Sequence, residues 1–316
     1  MSATTVGSGC PPEIRTALSG PWPSIRTPFT EAGDIDFESL RNYLEFVIDA
    51  GAKAVVLTWG DSLYSLLTDE EIAQLTETVV THVRGRAFVV AADNQWPTSK
   101  EVEFARYCKE IGANMLMVLP PDWARSTTTE TLVAHYGSVA EYIPVMMVTN
   151  YLRYRSEEFS LGLIKALLDQ VPGVVAVKDD VCGPWVRRVS LLAHERWTLS
   201  AGGSKENHMN MLPYGVDGYL STFITFKPEI AWHYWEATKA LDLETARAVI
   251  RDYDMPLFAK AQAIGDGCLD AALHGVYELF GIAKRYRRAP YHSLTDQQME
   301  QLAEVLRSTG LLSQSD

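Results

Sequence analysis

The sequence predicts an α/β fold: a (β/α)8 TIM barrel with a C-terminal helical appendage. Three observations support this. Short β-rich runs alternate with longer amphipathic runs. Eight such pairs recur at near-regular spacing between residues 20 and 235. A doubly wound open sheet, the competing arrangement, would want a glycine-rich fingerprint after its first strand, and the sequence has none there.

Residues 22–27 read as the first strand, stopped by Pro28. Residues 36–50 have helical spacing at Leu40, Tyr43, Leu44 and Val47, and Gly51 ends that helix. The second strand is expected at 52–58. Thr68-Asp69-Glu70-Glu71 then opens a helix as a capping box, with Thr68 as N-cap. The third strand, 86–92, leads to a helix over 99–111. The fourth, 114–119, stops at Pro120 and Pro121 and precedes a helix over 129–142. The fifth, 144–149, precedes a helix over 161–170. The sixth runs from Gly173 to Lys178, and its Val174, Val175 and Val177 suit a strand buried on both faces. A helix over 184–194 precedes the seventh strand, 197–201; a short helix over 207–212 precedes the eighth, 218–222.

Beyond it the chain is helical at 230–240, 243–251, 255–264 and 269–280, with a last helix at 295–307. A barrel needs one helix after its eighth strand, so the surplus is expected to cover one side of the barrel or to serve in assembly. The expected division is a flexible leader over 1–19, the barrel over 20–235 and the helical region over 236–316.

The 316 residues are 47% hydrophobic, enough for a large buried core. A formal net charge of −12 argues against a nucleic-acid or anionic-membrane partner. No apolar run reaches transmembrane length, and residues 1–19 lack the pattern of a signal peptide. Cys10, Cys108, Cys182 and Cys268 are scattered without metal spacing, which suits reduced thiols in a cytoplasmic protein.

Lys178 is the residue of interest. A lysine at the C-terminal tip of a buried strand is unusual, because burial disfavours the ammonium and prepares the amine to attack a carbonyl. The competing reading is a lysine that snorkels to solvent or pairs with Asp179 or Asp180. Barrel active sites lie at the C-terminal ends of the strands, which is where Lys178 falls.

Three motifs then resemble the dihydrodipicolinate synthase / N-acetylneuraminate lyase family of class I aldolases. They are Thr27-Pro28-Phe29, Gly173-Val-Val-Ala-Val-Lys178-Asp179 and Gly215-Val-Asp-Gly-Tyr-Leu-Ser221. The resemblance extends from about Gly20 to the C-terminus. It implies a Schiff base between Lys178 and a 2-oxo acid, no metal or organic cofactor, and a homotetramer or homodimer. It also exposes departures. Where the family carries a Gly-Thr-Thr-Gly-Glu type of motif, the gap-free register gives Trp59-Gly60-Asp61-Ser62-Leu63. The tyrosine of a Tyr-Asn-x-Pro-x-Arg motif falls on Val148, its arginine falls on Arg153, and a tyrosine that reaches a neighbouring subunit falls near Asp122. The hydroxyl relay is thus expected to be rebuilt with Asp61 and Asp122 around an unchanged lysine.

The candidate catalytic residues are therefore Lys178 and Asp61. Candidate substrate contacts are Gly60, Ser62, Thr149, Asn150, Tyr151, Arg153, Gly202 and Ser221, with Asp122 as a subunit-interface relay. Arg153 would hold a carboxylate, and Gly202 would let backbone approach a ligand. The expected function is a Schiff-base lyase, aldolase or hydro-lyase, acting on a 2-oxo acid or related carbonyl compound. It is expected to be neither true dihydrodipicolinate synthase nor neuraminate lyase. The alternative is a barrel that keeps the fold and serves as a small-molecule binding or regulatory protein.

Overall fold

Eight parallel strands close on one another in a computed structural model that describes residues 9–313. The chain enters through α1 (Pro12–Ala17) and then alternates β1 (Gly20–Trp22), α2 (Phe37–Asp49), β2 (Ala54–Val56) and α3 (Asp69–Val83). It continues through β3 (Phe88–Ala92), α4 (Thr98–Ile111), β4 (Met115–Val118), α5 (Thr129–Ala140), β5 (Val145–Val148) and α6 (Glu157–Gln170). The last three units are β6 (Val174–Asp179) with α7 (Pro184–Ala193), β7 (Thr198–Ala201) with α8 (Lys205–Met211), and β8 (Gly218–Leu220) with α9 (Pro228–Lys239). Each strand pairs in parallel with its sequence neighbour from β2 to β8, and β8 pairs with β1. A bridge between Ser24 and Val56 brings β1 beside β2 and completes the circuit.

Local chemistry sets the element ends. The Thr68 side chain accepts from Glu71 N while Glu71 reaches back to Thr68 N, so the expected capping box opens α3. Asp36 caps α2 through Ser39 N at 3.0 Å. The strands are almost wholly buried, as a parallel sheet covered by helices requires.

Several boundaries differ from expectation, among them the first strand, expected over 22–27 and formed by Gly20–Trp22. The expected leader is in part a built element. Pro12–Ala17 is helical, Ile14 and Leu18 are buried, and Arg15 Nη1 donates to both Asp217 oxygens at 2.8 Å. The rest of that leader, residues 1–8, lies outside the described residues. The expected cut at 235 falls inside α9, whose apolar face carries the chain on to Lys239.

The C-terminal region follows as α10 (Leu243–Val249), a π-turn over Ile250–Asp254, α11 (Met255–Ile264), α12 (Leu269–Leu279) and α13 (Asp296–Ser308). Pro256 has no N–H for the carbonyl four residues back, and the ladder widens to the π-turn just before it. Arg288 ties this region to the barrel: it donates to both oxygens of Glu71 at 2.7 and 2.8 Å and to the carbonyls of Gly33 and Leu66. All four cysteines are free. No described helix is long and apolar enough to cross a membrane.

Candidate active site

Side chains alternate along a strand, so Lys178 and Asp180 share one side of the chain and Asp179 takes the other. The structure follows that rule. Lys178 Nζ donates to Asp180 Oδ1 at 2.6 Å. Asp179 is turned away, accepting from Thr149 Oγ1 at 3.0 Å, Cys182 N at 3.0 Å and Asn207 Nδ2 at 3.1 Å. Burial pushes the Asp179 carboxyl upward. Thr149 also accepts from Asp180 N at 2.9 Å, so one hydroxyl fixes the backbone at which the two aspartates diverge.

Lys178 is 7% exposed, and what surrounds it is a cavity of about 380 Å³ at the C-terminal ends of the strands. That volume suits a small molecule. Val148, the Cα partner of Lys178 across the β5–β6 ladder, lines the cavity, so the wall beside the lysine is aliphatic there and carries no phenol. The loop after β2 contributes Thr58, Trp59, Gly60 and Asp61. Arg26, just past β1, is buried and faces Asp61: its Nη2 donates to Asp61 Oδ1 at 3.2 Å, its Nε to Asp270 Oδ1 at 2.9 Å and its Nη1 to Tyr277 OH at 3.1 Å. Phe258 of α11 and Leu269 and Leu273 of α12 form an apolar roof, so the C-terminal helices complete the chamber.

Lys178, Asp61, Gly60 and Asn150 of the expected site share this cavity. Thr58 caps the turn that carries Asp61, its Oγ1 accepting from Asp61 N at 3.1 Å. Thr149 acts one layer back, through Asp179 and Asp180. Ser62 is fully buried and bonded to backbone: its Oγ donates to Ile25 O at 2.6 Å and accepts from Thr58 N at 3.1 Å. Ser221 is buried beside β8, where Ile224 N donates to its hydroxyl. Tyr151 bonds Tyr136 OH at 3.4 Å and lines an adjoining recess, so its hydroxyl does not take the place Val148 leaves empty. Arg153 is exposed and donates to the Asp180 carbonyl at 2.8 Å.

Asp122 lies in the same recess and is held within its own chain. Arg155 donates to both its oxygens at 2.7 Å, and Thr127 adds two further hydrogen bonds. Burial would raise its carboxyl, but these partners outweigh it and hold the group below the usual range. Gly202 has a sharper role than expected. A Cβ there would sit 1.8 Å from Asp180 Oδ1 and 2.8 Å from Asp179 O, so the missing side chain is what leaves room for the carboxylate on Lys178.

Reading the sequence for strand-end residues missed Asp180 as a working group, together with Thr58, Arg26 and the roof. The signal for Asp180 was available: it lies two residues from the lysine on a strand. Arg26 likewise stands at a strand end. The roof side chains had no local signal. Among the described residues, no group of three or more His, Cys, Asp or Glu side chains is arranged to hold a metal.

Comparison with known proteins bears on the family and the fold. Residues 17–309 match the dihydrodipicolinate synthetase family model. A 4-hydroxy-tetrahydrodipicolinate synthase of Dechloromonas aromatica is 25% identical over 300 residues, 94% of this chain and 100% of that protein. Among solved structures, dihydrodipicolinate synthase from Bacteroides thetaiotaomicron superposes with a TM-score of 0.81 at 20% identity, covering 92% of this chain and 98% of its own. N-acetylneuraminate lyase from Fusobacterium nucleatum gives 0.81 at 16% identity, covering 92% and 99%. At those identities the structures speak to the fold.

Proposed function

The chain belongs to the dihydrodipicolinate synthetase family, and from that premise we propose that it is a class I lyase working through an imine on Lys178. The observation that carries the proposal is a buried lysine at the C-terminal end of β6, its amine in a small-molecule cavity with a carboxylate 2.6 Å away. The substrate is a 2-oxo acid or related carbonyl compound.

An amine attacks a carbonyl only with its lone pair free. Asp180 takes the proton of the Lys178 ammonium. The amine adds to the carbonyl carbon, and Asp180 returns the proton to the carbinolamine hydroxyl, which leaves as water. The resulting iminium draws electrons from the adjacent bond, so a carbon–carbon or carbon–oxygen bond there breaks or forms. Family relatives handle such protons with hydroxyl groups. Here Val148 and Asp61 occupy two of those places, so the proton handling is non-standard. Asp61, paired with Arg26, orients the end of the substrate that is polar but not anionic. That pairing speaks against the substrates of dihydrodipicolinate synthase and neuraminate lyase themselves. The enzyme works as a cytoplasmic homo-oligomer, as the family resemblance implies.

Borohydride trapping with a panel of 2-oxo acids, read by intact mass, tests the proposal. The expected result is a covalent adduct that Lys178→Ala abolishes. No adduct across the panel would overturn the lyase and leave the small-molecule binding protein.

A further inference from the structure

Two carboxyl groups on the β3 side of the cavity play no part in imine formation. Asp93 follows β3 directly and lines the cavity. Glu101 comes from the first turn of α4 and is completely buried. Leu119 N donates to Asp93 Oδ2 at 2.9 Å. Among the described residues no donor reaches either oxygen of Glu101. The neighbouring acid is the Asp93 carboxyl.

Two carboxylates cannot hydrogen-bond each other, because neither has a proton to donate. An ionised Glu101 with no donor and no cation would be costly to bury. The titratable groups packed around the pair give no relief. They are Tyr64 after β2, Tyr136 on α5 and Cys108 on α4, and burial drives all three upward, so they stay neutral. The same burial pushes both acids upward. Leu119 N serves Asp93 and no donor serves Glu101, so Glu101 is the member that must carry a proton of its own.

We propose that Glu101 is protonated and donates to Asp93, and that Asp93 is the catalytic acid of the bond-forming step, facing Lys178 across the cavity. The proposal rests on the imine chemistry above. In the addition direction, the enamine carbon attacks the carbonyl carbon of a second substrate. The new carbon–carbon bond takes the enamine's electron pair, and the carbonyl oxygen takes the Asp93 proton to become a hydroxyl. Asp93 is left as a carboxylate that accepts from Glu101 and from Leu119 N. Cleavage runs the same step backwards, with Asp93 receiving the hydroxyl proton. Glu101 is a positioning residue: it acts only through Asp93.

Asp93→Asn is expected to keep the borohydride adduct on Lys178 while turnover falls ~10²–10⁴-fold, the size of a lost general acid. Its pH–rate profile should lose the alkaline limb. Glu101→Gln keeps a donor and should rescue most of the turnover. Glu101→Leu removes the donor, raising Asp93 and moving the limb to higher pH; a purely structural role would lower stability and leave the limb in place. Infrared difference spectra of the ligand-free protein at neutral pH supply a readout without substrate. A protonated-carboxyl stretch should be present and should change in both Asp93→Asn and Glu101→Gln. Absence of that stretch, or unchanged turnover in Asp93→Asn, overturns the proposal. If the unmodified protein forms no adduct, the lyase reading fails and the catalytic role of Asp93 fails with it, while the infrared bands still decide whether the protonated pair exists.

Discussion

Two lysines of this barrel are buried against an aspartate, and they differ in everything else. Lys178 pairs with Asp180, two residues away on the same strand end, and opens on a cavity. Lys205, at the start of α8, pairs with Asp254 in the C-terminal π-turn at 2.7 and 2.8 Å. It is 2% exposed, stacks 4.2 Å from the Phe223 ring and lines no part of the cavity. Burial lowers Lys205 and raises Asp254, while the pairing of the two opposes both shifts. By burial alone Lys205 would be the better nucleophile. What separates the two is space: one amine has somewhere for a carbonyl to sit, and the other is closed in by protein. A perturbed lysine therefore points to chemistry only when a cavity reaches it.

Exchanging the two roles gives the largest effects. Lys178→Ala should abolish the trapped adduct and lower turnover by ~10⁴-fold or more, with a near-native melting curve. Lys205→Met should do the reverse. It leaves Asp254 buried without its partner, costs about 3–5 kcal/mol in denaturant unfolding, and keeps the adduct. An adduct lost in Lys205→Met but retained in Lys178→Ala would invert the assignment.

Next in size is the partner. Asp180→Asn keeps the shape of the pair and removes its base, so single-turnover imine formation should slow by ~10²–10⁴-fold while the fold is unchanged. Gly202→Ala reaches the same carboxylate from behind. Its new methyl would displace Asp180, and a ~10- to 100-fold loss in the same assay is expected.

The smallest effect concerns pH around Lys205. His208 bonds Tyr234 OH at 2.9 Å, and Tyr234 OH in turn donates to the Lys205 carbonyl. Burial holds the imidazole neutral, down to about 4 from an ordinary 6.5. The unfolded chain binds that proton more readily than the fold does. Stability should therefore be intact above 6.5 and be lost as pH falls toward 4. Melting temperatures across that range should show the slope, and His208→Phe should lessen it, with His135 and His274, also held down to about 4 by burial, carrying a share. An unchanged slope would mean other groups carry it.

How much of this was legible beforehand follows from how local each signal is. The strands and most helices were readable because β-branched runs, capping boxes and Gly or Pro stops are written within a few residues of the element they define. Lys178 was readable for the same reason. Asp61 was placed in the cavity but its partner was not, because Arg26 sits 35 positions away and meets it only across the closed barrel. Tyr151 was expected among the substrate contacts. Its hydroxyl instead bonds Tyr136 on α5, a contact that no spacing in the sequence encodes. Asp93 and Glu101 are eight residues apart and were passed over, because a strand end and a helix first turn look like ordinary places for acids until the fold buries both.

The apolar roof has a consequence for how the protein is made. Strands β1 to β8 and both groups of the lysine pair leave the ribosome before Phe258, Leu269 and Leu273, and chains of this size fold progressively from the N-terminus. A nascent barrel can thus already hold Lys178 beside Asp180 while its upper wall is still unmade. During that interval the amine faces open water instead of an enclosed chamber. Lys178 meets metabolites in a shaped compartment only once the last quarter of the polypeptide has docked, so the order of translation leaves the amine open to small molecules until then.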